Sequence, residues 1–209
     1  MAVNKNSTVY TVSFAFLLVV ICGALLAFLA TQLKTIQKSN VANEKRQFIL
    51  SAAGYASMDT LKTFEKSEIE KIFTESITQQ VFDFNGQPVL GSKAFDIDIV
   101  KEYKATKNEP KTRKYPVFTY KRGTTKKYII PMAGNGLWGP IWAFVALGGD
   151  QNTIEGVVFD HKSETPGLGA KIAEKPFMEL FTKTTKMVMK GEKYMGIKVV
   201  KGGLKEPDH

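Results

Sequence analysis

The stretch "PIWAFVALGGDQNTIEGVVFDH", Pro140 to His161, joins two apolar runs through a polar, glycine-containing segment, Gly148 to Asn152. Runs of this length and composition around such a segment predict two antiparallel strands and the turn between them. Upstream, "PVFTYKRGTTKKYIIPM", Pro116 to Met132, predicts a second hairpin with its turn near Gly123. Hairpins that are separated along the chain from helical segments predict an α+β fold with an antiparallel sheet.

Further helix and strand signals flank these hairpins. The capping-box pattern "SEIE" predicts a helix that begins at Ser67, with an apolar stripe that extends to Ile77. A proline suited to a first helical turn predicts another helix from Pro176. The alternating segment "FDIDIV", Phe95 to Val100, and the segment "KYMGIKVVKGG", Lys193 to Gly203, each predict a further strand.

Near the amino terminus, "VYTVSFAFLLVVICGALLAFLA", Val9 to Ala30, is uncharged and predominantly apolar. As a helix, this run spans about 33 Å, close to the thickness of the hydrocarbon core of a membrane. The apolar region of a cleaved signal peptide, the competing interpretation, is usually only about 7–15 residues long. We therefore predict a retained transmembrane helix. The predicted organisation is a short amino terminus at 1–8, a transmembrane helix at 9–31, a helical connector at 32–54 that stops at Gly54, and a soluble domain at 55–209.

Composition limits the chemistry of the soluble part. The single cysteine, Cys22, lies inside the apolar run, which excludes an intrachain disulfide and a cysteine nucleophile in the domain. The two histidines, His161 and His209, lack metal-ligand spacing, so no metal site is predicted. The net charge of +9 suits an anionic membrane surface or acidic partner subunits. No helix-turn-helix or RNA-binding pattern supports a nucleic-acid partner.

The segment "ETPGLG", Glu164 to Gly169, has the densest chemistry in the chain. Its proline presets the second position of a type II turn, and Gly167 suits the positive φ of the third position. Gly169 permits close approach of a ligand to the backbone, and Leu168 offers an apolar contact between the two glycines. The glutamate and threonine at the start supply hydrogen-bond acceptors and a donor. Seen alone, a Pro-Gly turn is more often a hairpin exit with solvated side chains.

A second segment, "AGNGLWGP" from Ala133 to Pro140, places three glycines around Leu137 and Trp138. Such a segment either ends a strand or presents the indole to an aromatic ring, and a lone tryptophan is more often a core residue. Both segments follow strands that are expected to be neighbours. The sequence therefore predicts that the two segments meet at one edge of the sheet.

Together, "GNGLWGPIWAFVAL" and "NTIEGVVFDHKSETPGLGAKI" closely resemble the C-subunit family of the sodium-pumping NADH:quinone oxidoreductases of bacterial membranes. The apolar run and "QKSNVANEKRQFILSAAG" fit the same family. The G-subunit family of Rnf electron-transport complexes shares both glycine-rich motifs but has a less similar amino-terminal region. The resemblance implies an FMN cofactor and electron transfer between redox centres of neighbouring subunits, among them B, D and E, during sodium export. No general acid or base is implied.

The resemblance also implies that both segments hold the flavin. Leu137 and Trp138 would pack on or beside the isoalloxazine, and Leu168 would close another side. Glu164 and Thr165 would hydrogen-bond its polar portions, and the glycines would let the backbone come near. The residues expected to bind FMN are Gly136, Leu137, Trp138, Glu164, Thr165, Gly167, Leu168 and Gly169.

In this family the FMN phosphate is esterified to a threonine within a Ser/Asp-Gly-Ala-Thr/Ser-x-Thr/Ser motif. The 209 residues do not contain that motif, so we expect the attachment threonine or serine to follow His209. The resemblance alone would place Leu33 to His209 on the periplasmic side of the bacterial inner membrane, with Met1 to Asn6 in the cytoplasm. The basic residues after Ala30 favour the opposite orientation. We follow the resemblance, because the positive-inside bias weakens for a domain that must be translocated.

Two other functions fit the sequence. One is a G-type subunit of an Rnf complex, which shares the motifs. The other is a membrane-anchored structural or assembly subunit without flavin, which the missing attachment motif would favour.

Overall fold

The computed structural model describes residues 7–182 and 187–195, and the structural statements below concern these residues. The chain divides into two compact units, residues 1–44 and residues 45–209. Helix α1, Thr8–Ala52, contributes residues to both units. The remaining helices are α2 (Met58–Leu61), α3 (Lys66–Ser76), α4 (Ile99–Ala105) and α5 (Lys175–Met178).

The first unit contains the apolar part of α1. Its large side chains are exposed along the helix, from Val9 at 75% to Leu29 at 45%. By length and composition the helix is able to cross a membrane, although the signal sequence of a secreted protein would pass the same test. Residues 1–6 of the predicted amino terminus lie outside the described residues.

The second unit is built on a five-stranded antiparallel sheet whose strands follow one another in chain order. The strands are β1 (Ile77–Phe82), β2 (Tyr115–Arg122), β3 (Thr125–Asn135), β4 (Pro140–Leu147) and β5 (Ile154–His161). A short hairpin of β6 (Met189–Lys190) and β7 (Lys193–Tyr194) follows. The α+β class and the two central hairpins are therefore confirmed.

The last two turns of α1 belong to the core of this domain. Ile49 and Leu50 are fully buried together with Phe118 and Ile129 of the sheet. The helix ends at Ala52, two residues before the predicted stop at Gly54, which has a φ of +80° that other residues rarely adopt. This packing requires a glycine at position 156 of β5, because a Cβ there would overlap the carbonyl oxygen of Ala52.

Two predictions at the start of the domain are wrong. The capping box does not form, because α3 begins at Lys66 and its N-cap is Glu65, without a side-chain hydrogen bond. Ile77 does not continue the helical stripe, since it is the first residue of β1.

The predicted strand from Phe95 to Val100 is also wrong. The segment forms a 3₁₀ turn, Ala94–Asp96, and the start of α4. Asp98 is the N-cap of α4, and its carboxylate accepts the backbone N–H groups of Val100 and Lys101 at 3.1 Å each. The short alternation of apolar and acidic residues therefore arises from a cap and a turn.

The carboxyl-terminal predictions are met in part. A helix forms at Pro176 but has only four residues, Lys175–Met178, before a 3₁₀ turn, Glu179–Phe181. The predicted final strand begins at Lys193, but residues 196–203 of that prediction lie outside the described residues.

Candidate functional site

The loop between β3 and β4 presents two large apolar side chains. The Gly136 N–H donates to the Gly139 carbonyl at 2.7 Å and closes a tight connection. Leu137 is 84% exposed and Trp138 is 67% exposed, although both are apolar. Trp138 is therefore not a core tryptophan. The loop therefore leaves a large apolar surface open, which is available for contact with a ligand or another chain.

The turn after β5 has the geometry that the sequence predicts. The Leu168 N–H donates to the Thr165 carbonyl at 3.1 Å, and Gly167 has a φ of +75°. These are the hydrogen bond and the positive φ that a type II turn requires. Leu168 is 72% exposed, so it forms a third apolar side chain at the surface of the domain.

Two hydrogen bonds join the loop to the turn. The Trp138 N–H donates to Oε1 of Glu164 at 2.9 Å, and the Ser163 hydroxyl donates to the Trp138 carbonyl at 2.8 Å. Glu164 is only 8% exposed, so its carboxylate lies between the two segments. The predicted meeting of the segments at one sheet edge is confirmed. A hydrogen bond to a charged acceptor typically contributes about 1.5–3 kcal/mol, so this contact is a substantial brace.

The glycines of the site leave room for this brace. A Cβ at Gly136 would overlap the Glu164 carboxylate, and a Cβ at Gly169 would lie 2.5 Å from Glu164 Oε2. At Gly139 a Cβ would lie 2.6 Å from the Ser163 hydroxyl oxygen. The glycines are thus required by the packing of the two segments on each other, a reason that the sequence did not reveal.

Behind the turn, two polar residues of β5 support Glu164. Nδ1 of His161 accepts the Glu164 N–H at 3.2 Å, and Asp160 Oδ1 accepts the His161 N–H at 2.8 Å. Burial raises the pKa of the Asp160 carboxyl, against the opposing effects of the His161 backbone N–H and of the nearby His161 and Lys62 side chains. The sequence prediction missed His161 and Ser163 as parts of the site. Their only signal is their place in "DHKSE", directly before the predicted turn.

The arrangement suits a flat organic ring better than a metal ion. The three exposed apolar side chains stand on segments that hydrogen bonds hold together, and the exposed Thr165 lies next to them. Covering each apolar side chain releases about 1.5–3 kcal/mol of hydrophobic free energy. Within the described residues, no group of three or more His, Cys, Asp or Glu side chains could hold a metal ion.

Relatives from several bacteria match this chain along nearly its whole length. The C subunit of the Na(+)-translocating NADH-quinone reductase of Neisseria meningitidis serogroup B is 31% identical over 99% of this chain and 82% of the relative. The chain belongs to that C-subunit family. The Vibrio parahaemolyticus C subunit is also 31% identical, over 97% of this chain and 82% of its own length.

A family model and two crystal structures agree with membership of the C-subunit family. The model of the FMN-binding domain matches residues 136–205, a range that contains the eight residues from Gly136 to Gly169 that are expected to bind FMN. The Parabacteroides distasonis C subunit has a TM-score of 0.69 and 35% identity, covering 84% of this chain and 80% of that structure. The Shewanella oneidensis protein, NqrC, has a TM-score of 0.63 and 26% identity, with 80% coverage of both chains.

Proposed function

We propose that this chain is an FMN-carrying electron-transfer subunit of a sodium-translocating NADH:quinone reductase. The observation that carries the proposal is the braced site within the FMN-binding match, residues 136–205, of a chain that is similar along 99% of its length to a C subunit. The chain is the electron carrier, and neighbouring subunits provide the electron donor and acceptor. The apolar helix is the membrane anchor.

The chain's own residues would bind and orient the flavin. Leu137, Trp138 and Leu168 would contact the isoalloxazine and exclude water from it, because they are the exposed apolar side chains of the two segments. When bound, FMN supplies one-electron redox chemistry, while the protein supplies position and local electrostatics.

The polar contacts divide between Glu164 and Thr165. Oε1 of Glu164 already accepts the Trp138 N–H, and Glu164 is only 8% exposed, so its carboxylate has little surface left for a ligand donor. Thr165 is exposed and its hydroxyl both donates and accepts. We therefore assign the direct polar contact chiefly to Thr165 and the positioning of the Trp138 loop to Glu164.

The proposal has three finer parts. The flavin is linked through its phosphate to a threonine or serine, as the family resemblance implies. The neighbouring subunits include B, D and E. The domain lies on the periplasmic side of the bacterial inner membrane, with the apolar part of α1 as its single span. Protease added to intact spheroplasts tests this orientation, and a domain that is cut only after the membrane is broken contradicts it.

The central experiment uses the complex purified from its native membranes. We expect a flavin adduct in the intact mass of this subunit and NADH-dependent reduction of that flavin. Leu137→Ala combined with Leu168→Ala should alter the visible spectrum of the flavin and slow electron transfer. Leu90→Ala is the matched control, since Leu90 is 91% exposed and lies outside the two segments. A native subunit without any flavin would refute the proposal and favour a structural or assembly role.

A further inference from the structure

The end of the sheet opposite the flavin segments carries three turns side by side. They are the β2–β3 turn, the β4–β5 turn and the β6–β7 hairpin. Gly149 of the middle turn lies close to the Lys126 carbonyl, where a Cβ would be 3.5 Å away. On its other side, Asn152 donates to the Met189 carbonyl at 3.0 Å and accepts the Met189 N–H at 2.7 Å. These contacts hold the three turns as one edge.

Lysines face lysines on both outer turns of this edge. Lys121 lies directly opposite Lys126 in the β2–β3 ladder, and Lys190 lies opposite Lys193 in the β6–β7 ladder. All four side chains are exposed. Like charges placed directly opposite each other destabilise a strand pair by roughly 0.2–1 kcal/mol. We call these four lysines the basic edge.

The carboxylates near the basic edge are largely engaged elsewhere. Asp150 accepts the Thr153 hydroxyl at 2.5 Å and the backbone N–H groups of Asn152 and Thr153 at 3.0 Å each. Glu155 pairs with Lys127 at 3.2 Å. Among the described residues, Glu192 is a further carboxylate near the edge, in the turn between the second pair of lysines. Hydrogen bonds do not remove the charge of Asp150, but four lysines against Asp150 and Glu192 still leave the described part of this edge with an excess of positive charge.

Lys126 lies against an aromatic neighbour. Its ammonium lies 4.8 Å from the centre of the Tyr128 ring, and the side-chain amide of Gln151 donates to the Tyr128 hydroxyl at 3.2 Å. Hydrogen bonding to Lys126, and then to Gln151, lowers the pKa of the Tyr128 phenol. Gln151 has a φ of +58°, and no other non-glycine residue in the described part of the chain has a positive φ. Such strained backbone is concentrated at functional surfaces.

We propose that the basic edge is a docking surface for an acidic segment of a neighbouring subunit. This inference rests on the proposed function, because a multi-subunit complex would place a neighbouring subunit beside the domain. The four lysines are spread along two hairpins, which suits successive carboxylates of an extended chain, whereas a compact anion needs donors that converge on one point. Polybasic segments that bind lipid lie beside a transmembrane helix in sequence, and Lys121 to Lys193 do not.

The test reverses charge at one pair of lysines within the complete complex. The variant is Lys121→Glu with Lys126→Glu, and the matched control is Lys71→Glu with Lys93→Glu, which makes the same charge change at exposed lysines outside the edge. Complexes are captured through another subunit and washed with increasing salt. We expect the edge variant to be retained about fivefold less than the native chain or the control, with the native retention falling as salt rises. Carbodiimide coupling should join a lysine of the edge to an aspartate or glutamate of that neighbour.

Three outcomes overturn the inference: equal retention of the edge variant, an equal loss in the control, or lost binding to phosphatidylglycerol vesicles with retention unchanged. Near-ultraviolet circular dichroism confirms that the edge variant is folded. The flavin content of each captured chain is measured in the same samples. A native chain that is retained without flavin refutes the proposed function alone, whereas a flavin-loaded edge variant that is retained normally refutes the docking surface alone.

Discussion

Replacing Gly169 with alanine tests whether Glu164 braces the site. A Cβ at residue 169 would lie 2.5 Å from Glu164 Oε2, 3.2 Å from its Cβ and 3.3 Å from its Cδ. All three atoms belong to one side chain, so the clash has one source. Overpacking of this kind typically costs about 1–3 kcal/mol, and the reduced freedom of the unfolded chain returns about 0.4–1 kcal/mol. We expect Gly169→Ala to destabilise the domain by roughly 0.5–2 kcal/mol.

The same substitution should be nearly neutral once Glu164 is alanine. The truncation removes Oε2 and Cδ and leaves only the Cβ contact at 3.2 Å. Glu164→Ala itself costs about 1.5–3 kcal/mol, because the Trp138 N–H loses a charged acceptor. The two substitutions should therefore be non-additive by about 0.5–2 kcal/mol in a double-mutant cycle.

Urea unfolding of the full chain in detergent, followed by tryptophan fluorescence, provides the assay, since both tryptophans lie within the domain. Gly134→Ala is the matched control, because its Cβ would make an ordinary contact at 3.7 Å with Ile141 and none with Glu164. That control should add to Glu164→Ala within about 0.5 kcal/mol. If Gly169→Ala is equally destabilising in both backgrounds, Glu164 does not brace the site.

Three further predictions concern single residues. Trp138→Ala should change the free energy of unfolding by less than about 0.5 kcal/mol and still alter the visible circular dichroism of bound flavin, because the indole is exposed; a loss of several kcal/mol would contradict this. Lys45 donates to the carbonyls of Phe95 and Ile97, and burial lowers its pKa from 10.5 to about 8 against the opposing charges of Asp98 and Asp96. Between these pH values the folded state binds fewer protons than the unfolded state, so the free energy of unfolding should rise by about 3 kcal/mol from pH 8 to 10.5. In urea titrations, Lys45→Met should remove this rise and the control Lys71→Met should keep it. Burial raises the pKa of Asp160, so the charged carboxylate destabilises the folded state at pH values above the pKa in the unfolded chain. The Asp160→Asn variant should therefore be more stable than the native protein near pH 7 but not near pH 3. An equal gain in the free energy of unfolding at both pH values would rule out this cause.

The sheet could be predicted because its signals are local. Turn residues such as Gly123, with a φ of +57°, lie between apolar runs, and neighbouring strands follow one another in chain order. The strand prediction for Phe95 to Val100 was wrong because a run of six residues is too short to distinguish a strand from a capped turn. The Asp98 carboxylate accepts the backbone N–H groups of Val100 and Lys101, and side chains of this type compete with regular structure over short distances.

The site could be predicted as a location but not as a mechanism of support. Leu137, Trp138 and Leu168 are found at one edge, as neighbouring strand ends require. The position of Glu164 depends on contacts between segments that are 26 residues apart, and no spacing rule reports that its carboxylate is buried. The role of Gly136 and Gly169 could not be foreseen either, since glycine gives the same signal for a ligand and for a neighbouring side chain.

The main chain of Trp138 is held at both of its polar groups, the N–H by Glu164 and the carbonyl by Ser163. Neither bond involves the indole, so the loop conformation is independent of the side chain at this position. We therefore expect phenylalanine, leucine or methionine at position 138 to leave the conformation of the loop unchanged. Substitutions at this position therefore change the side chain that the site presents at its surface without changing the path of the main chain.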